Sequence, residues 1–391
     1  MSVNEQPSGD RSLSEDWAFV EQLLPEHWQD KARELGAFRR GRVITSAATL
    51  LRVMLIHLTD GCALRTTAAK ASVGDLVSIS DVAILKRLRN CAAWFEWMCQ
   101  ELRATWLPAP LQPQLASCWE GRRIRLLDGT MVNEPGATGS KWRLHYSVDF
   151  PSLRADEVIV STSAEGETLR RFTFKPGEIA VADRGFANPP GVAHVHHSNA
   201  DVVVRMNLVT LPLYDPSGKE LLDVLACVRT LQPGQCAAWS ASVKHGKQRI
   251  AGRLCAVKKD AASADKARAR VRRESQRNGA TVQPQTLEVA DYVLVFTTLG
   301  DDFPVEQVME LYRARWQIEL VFKRLKSLAE LGHLKKSDPR SARAWLQGKL
   351  LSALLRCLAR QPRAFFPLGM GQTPMRAPIN PGLPAPGGSS A

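Results

Sequence analysis

Residues Leu311 to Leu328 read LYRARWQIELVFKRLKSL. At about 100° per residue, Tyr312, Arg315, Glu319 and Lys326 fall within roughly 60° of one helix face. Leu311, Ala314, Ile318, Val321, Leu325 and Leu328 fill the adjacent arc, the apolar stripe of a helix packed on a core. The spacing predicts a helix with a buried side and a polar working side, on which one carboxylate stands among cations and a phenol. From Tyr312 to Lys336 there are seven Lys/Arg against two Glu. A lone carboxylate in such a field is either a salt-bridge partner or a ligand for something positive that also attracts anions. A divalent metal gripping a phosphate meets the second description.

Upstream the period changes to that of strands. Ile124, Leu126 and Leu127 predict a strand running into Asp128-Gly129-Thr130. Leu144 to Phe150 and Val158 to Ser163 predict two more, and Ile179 to Ala182 a fourth that ends in Asp183-Arg184-Gly185. Asn188 can cap, and Pro189 open, a helix to about His197; Val202 to Met206 is again strand-like. Strands, a helix and a further strand in this order imply a mixed α/β sheet. Asp128 and Asp183 are expected at two strand ends with glycine close behind, where open α/β sheets place ligands. Asp near Gly is also ordinary turn chemistry.

The segment from about Leu213 to Val289 breaks into short strands and a basic stretch, then Tyr292 to Thr298 resumes a buried-strand pattern. Lys244 to Arg277 holds twelve Lys/Arg against three Asp/Glu, an excess that is costly unless an anion neutralises it. Asp265 to Arg277 reads as a helix. Trp239 is either a core residue or a stacking platform for an unpaired base. Before the sheet, Gly41 to Trp106 is helical, with one block from Leu50 to Leu58 and another from Val82 to Met98 capped by Ser80. The second block carries Lys86, Arg87 and Arg89, which would lie against a phosphate backbone if that helix entered a groove. Pro108, Pro110 and Pro113 mark a linker. A last helix runs from Gly332 to about Arg360, and the final 31 residues, with seven Pro and five Gly, are expected to be disordered. The domains so drawn are 1–110 (helical, DNA-binding), 119–212 and 291–360 (the core in two parts), 213–290 (a β-rich basic insertion) and 361–391 (tail).

Over 391 residues the formal net charge is +13. A protein this basic binds polyanions, with nucleic acid the first candidate and an anionic membrane the second. The longest apolar run, Ala47 to Leu58, is too short and too polar to span a bilayer, and no signal peptide opens the chain. Eight scattered cysteines without a C-x-x-C pair fit a reducing, cytoplasmic setting. Gly136 to Lys141, GATGSK, has the wrong spacing for a phosphate-binding Walker loop. His194, His196 and His197 lack a second ligand pair at zinc spacing and read as a helix surface.

Asp128, Asp183 and Glu319 thus come from two strands and a helix, with a basic surface around them. Two Mg²⁺ ions held by such carboxylates, roughly 3.5 to 4 Å apart, would clamp the attacking and leaving oxygens of a phosphoryl displacement. The order Y-x2-R-x3-E-x6-K, met by Tyr312, Arg315, Glu319 and Lys326, resembles the signature of the IS-four-type insertion-sequence transposases of the DDE class. LLDGT around Asp128 and VADRGF around Asp183 are similar to the two aspartate motifs of that family. The resemblance runs from about residue 40 to 360. It implies a ribonuclease-H-like core interrupted by a β-rich insertion, and cut-and-paste transposition at terminal inverted repeats through nicking, a hairpin and strand transfer. By position it makes Asp128, Asp183 and Glu319 the catalytic metal ligands, for Mg²⁺ with Mn²⁺ as a substitute. Tyr312, Arg315 and Lys326 would hold phosphates beside the cut, with Arg184 a further DNA contact and Trp239 the platform for a flipped base. It also implies double-stranded DNA as partner, a homodimer in a synaptic complex, no membrane, and a place in the bacterial cytoplasm on the nucleoid. The alternative is a silent or truncated relic that binds transposon-end DNA without cutting it.

Overall fold

The computed structural model of the protein describes residues 13–39, 41, 43–59, 61–105, 119–132, 142–150, 154–162, 164–316, 334 and 338–359. The linker prolines, Gly136 to Lys141, the stretch carrying Glu319 and Lys326, and the residues after 359 lie outside the described residues.

Eight strands form one mixed sheet in the order β3-β2-β1-β4-β5-β8-β7-β6. They are β1 (Ile124–Val132), β2 (Trp142–Phe150), β3 (Arg154–Thr162), β4 (Ile179–Ala182), β5 (Asp201–Arg205), β6 (Cys236–His245), β7 (Gln248–Lys258) and β8 (Tyr292–Thr297). β4 pairs in parallel with β1 on one side and β5 on the other, while the remaining pairs are antiparallel. The central strands IAVA and VVV are apolar at every position because both faces are covered, as parallel strands require. The expected helix between them is α7 (Pro189–His197), with Asn188 Oδ1 accepting from the Gly191 N–H at 2.9 Å.

Alternation along the strands sends side chains into two cores. Leu126, Val181 and Val203 join the N-terminal helices, α11 (Val305–Ala314) and α12 (Pro339–Ala359). Leu127, Ala182 and Val204 point the other way, toward α7 and α8 (Val224–Val228). The N-terminal helices are α1 (Leu13–Gln22), α2 (Trp28–Glu34), α3 (Ala47–Thr59), α4 (Leu64–Val73), α5 (Asp81–Leu88) and α6 (Ala92–Thr105). They pack on α12 and share its core with the sheet, so chain segments from both ends close over one face.

Three expectations are corrected. The block from Val82 to Met98 is two helices, because the turn closed by Asn90 N–H on Arg87 O and Cys91 N–H on Leu88 O separates α5 from α6. Arg89, expected to face phosphate, instead bonds Asp338 Oδ2 at 3.0 Å, where that aspartate also caps α12 through the Ser341 N–H. Asp128 does not end its strand. β1 runs on through Gly129 to Val132, held by antiparallel pairing to β2, and only the parallel pairing to β4 stops at Leu127 and Ala182. Residues 213–290 contribute β6 and β7, the two longest strands, to the same sheet, together with α9 (Ala261–Arg277) and α10 (Pro284–Val289). Among the described residues no helix is long and apolar enough to cross a membrane.

Candidate active site

The parallel register that ends at Leu127 and Ala182 is followed by Asp128, still inside β1, and by Asp183, the first residue past β4, and adjacent strands lie about 5 Å apart. Both follow the alternation of Leu126 and Val181, so they sit on the face that α11 covers. α11 supplies two of its predicted working residues. The Tyr312 phenol donates to Asp183 Oδ1 at 3.1 Å, and Arg315 Nη1 lies 3.6 Å from Asp128 Oδ2. Arg205, at the end of β5, reaches to 3.9 Å from Asp183 Oδ1.

The electrostatics separate the two acids. Burial pushes Asp128 up to about 6; Asp183 and Glu167 add like charge, while the Gly129 N–H and Arg315 oppose the shift. Burial acts on Asp183 as well, but Arg315, the Arg184 N–H, Arg205 and the Tyr312 phenol together hold it below the usual carboxylate range. Asp128 is therefore a carboxylate whose charge its neighbours under-compensate, which is the condition of a site that accepts a cation. In kind, the donors suit a hard divalent ion. Among the described residues no group of three or more His, Cys, Asp or Glu is placed to hold an ion. Glu319, the predicted third ligand, and Lys326 lie outside the described residues.

A cavity of about 510 Å³ opens beside Asp183. Arg184, Arg205 and Arg315 line it from the sheet and α11, and Lys259, Lys266 and Arg270 from the segment running into α9. Six cations face only Asp183 and Glu274 among its acidic lining groups. Burial and then the charge of Arg205 push the Lys259 ammonium below its ordinary range. Such mutual repulsion is relieved by an anion, and a nucleic-acid backbone supplies a row of them.

The structure thus brings together Asp128, Asp183, Arg184, Tyr312 and Arg315. It does not bring Trp239 to them. That residue is half-buried on the α7 side of edge strand β6, and β6 lies four strands from β4 in the sheet order. His194 Nε2–H donates to Phe172 O (2.8 Å) and its ring packs edge-on against Phe174, as a helix-surface histidine turned inward. Arg205 and Glu167 carry no motif, whereas the cations of α9 belong to the basic stretch from Lys244 to Arg277. A cation closing the apolar run VVVR was the one sequence signal for Arg205, and Glu167 lies in a loop with no periodicity at all.

Comparison with known proteins gives a consistent answer. The family described as Transposase DDE domain matches residues 119–355. InsL of insertion sequence element IS186A from Escherichia coli strain K12 is 37% identical over 350 residues, covering 88% of this chain and 93% of that protein. The transposase for insertion sequence element IS421 from Escherichia coli is 36% identical over 351 residues, with the same coverage of 88% and 93%. The transposase for insertion sequence element IS231F of Bacillus thuringiensis subsp. israelensis is 26% identical over 272 residues, covering 60% of this chain and 56% of that protein.

Proposed function

The chain belongs to the DDE-domain transposases, enzymes that act on DNA, and we propose that it moves an insertion sequence by cut-and-paste at terminal inverted repeats. The observation that carries this reading is the meeting of Tyr312 with Asp183 and of Arg315 with Asp128. In this reading the sheet is a ribonuclease-H-like core in two parts, 119–212 and 291–360, with 213–290 as the insertion and 1–110 as the DNA-binding helical domain. A homodimer would hold the two transposon ends together.

Asp128 and Asp183, with Glu319, would hold the metal, Mg²⁺ in two copies. When bound, such ions lower the pKa of a water nucleophile and stabilise the charge on attacking and leaving oxygens. The protein's own groups prepare the rest. Tyr312 fixes the orientation of Asp183 through its hydrogen bond. Arg315, fork-shaped and permanently charged, is close enough to Asp128 to exchange that partner for a phosphate oxygen. Arg184, Arg205 and the α9 cations support the course of a DNA strand past Asp183. Lys326 would add a phosphate contact from the signature. Trp239 stays outside this assignment, since it packs on the other face of the sheet's far edge.

The test is cleavage of a duplex carrying the element's inverted repeats in Mg²⁺. Release of a 3′-hydroxyl at the repeat end by the wild type, lost in Asp128→Ala, Asp183→Ala and Glu319→Ala variants that still bind the duplex, is the expected result. Undiminished cleavage by all three folded variants would sink the reading.

A further inference from the structure

Glu167 lies where the two aspartate segments come together. A Cβ built on Gly129 would stand 2.9 Å from Glu167 Oε1, and one built on Gly185 only 1.8 Å from Oε2. Gly129 follows Asp128 directly and Gly185 follows Asp183 by two residues, so the Glu167 carboxylate occupies the space that side chains at those two positions would take. The glycines are therefore needed for this close approach, a separate requirement from the turn chemistry they suggest in sequence.

The loop that presents Glu167 is tied down on its own account. Arg171 Nη1 lies 2.8 Å from Glu165 Oε2, and its Nη2 donates to Gly166 O at 3.4 Å. Thr168 Oγ1 accepts from the Arg170 N–H, and Leu169 is fully buried. Arg143 Nη1 stands 3.7 Å from Glu167 Oε1, an ion pair too long for a hydrogen bond. A third carboxylate has been built in behind two others with its charge only loosely compensated, an arrangement that like-charge repulsion opposes unless a cation joins it.

We infer that Glu167 is a positioning residue for the divalent cation held by Asp128 and Asp183, adding its negative charge behind the pair and offering an acceptor to water bound there. It acts through the pair, since these acids are not placed as a three-carboxylate ligand set. The inference rests on the reading of Asp128 and Asp183 as metal ligands. Supporting groups of this kind typically change metal affinity about 10- to 100-fold.

The experiment measures Mn²⁺ binding to the full chain without DNA, by calorimetry and electron paramagnetic resonance, with circular dichroism as the control for folding. Glu167→Gln is expected to weaken binding about 10-fold or more. Gly185→Ala should do the same, because its Cβ would displace the carboxylate while the backbone there lies outside the left-handed region. In a Glu167→Ala background, Gly185→Ala should have no further effect, a non-additivity that a merely structural role would not produce. Wild-type affinity in folded Glu167→Gln and Gly185→Ala, alongside lost binding in Asp128→Asn, would overturn the role of Glu167 alone. Wild-type affinity in Asp128→Asn and Asp183→Asn as well would overturn the metal-ligand reading of the pair, and this inference with it.

Discussion

The Tyr312 phenol bonds Asp183 across 129 positions of sequence, at 3.1 Å. Burial, then the charge of Asp183, pushes the phenol up to about 12, so it remains a donor at neutral pH. Tyr312→Phe keeps the ring in its core and deletes the donor. Hydrogen bonds to charged acceptors contribute about 1.5 to 3 kcal/mol, and the partial exposure of Asp183 favours the lower end. Urea denaturation at pH 7 is expected to show a loss of about 1.5 kcal/mol, and an unchanged midpoint would mean that water replaces the phenol without cost.

Asp128→Asn should stabilise the protein in chelator at neutral pH. Burial foremost, with the charges of Asp183 and Glu167, raises Asp128 to about 6, against roughly 3.9 in an unfolded chain. The folded state binds this proton more tightly, so the group's contribution is complete below about pH 4 and is lost as pH rises through 6. Asparagine mimics the protonated form at every pH. Paired denaturation curves are expected to favour the variant by about 3 kcal/mol at pH 7 and to coincide near pH 4. A variant that is less stable at pH 7 would show that Arg315 compensates the charge fully.

The opposite end of β1 is held by a buried ion network. Arg125, 2% exposed, contacts Asp156 at 2.8 Å, Glu157 at 2.9 Å and Glu178 at 3.3 Å, and its guanidinium lies 4.9 Å from the Phe174 ring centroid. Arg123 also contacts Asp156 at 3.0 Å and Glu178 at 2.6 Å, so removing Arg125 takes one of two cations from those acids and the ion pair from Glu157. Breaking a buried pair typically costs about 3 to 5 kcal/mol, and the second cation favours the lower end. Arg125→Ala should therefore lower the unfolding free energy by that amount. Arg125→Met, which fills the volume but leaves only Arg123 among these acids, should recover part of it.

Lys266→Ala and Arg270→Ala remove cations that line the cavity beside Asp183. If each contacts one phosphate, affinity for inverted-repeat DNA should fall, and the slope of log K against log salt should shrink by about 0.9 per residue. Equal slopes for wild type and variants, measured by fluorescence anisotropy, would place these side chains on a solvated face. Stability should change by less than about 0.5 kcal/mol, since both side chains are exposed.

Local rules reached a good deal of this architecture. Asn188-Pro189 places the start of α7 at its observed residue, and Ser80 caps α5 through the Ala83 N–H at 3.3 Å. The run IAVA is β4 as read, and the alternation around Leu126 predicts a strand. Caps and periodicity act within a few residues, so they can be read without knowing what the segment packs against. The failures are equally physical. Arg89 looks like a free cation in sequence, and only its partner 249 positions away, Asp338, makes it a structural one. Asp128-Gly129 looks like a turn, but antiparallel pairing with Tyr146 and His145 keeps the strand going.

By itself the sequence determined the central strands of the sheet and the starts of α5 and α7, and the helical spacing that puts Tyr312 and Arg315 on one side of α11. It also carried the basic charge and the two aspartates that the family motifs single out. Tertiary structure alone decided that β6 and β7 lengthen the core sheet, that Trp239 lies four strands from β4, and that Glu167 fits between Gly129 and Gly185. The reason is one of range. Propensity and periodicity act over a turn of chain, whereas strand order and the approach of one carboxylate to two glycines depend on pairings between distant segments, which leave no local trace.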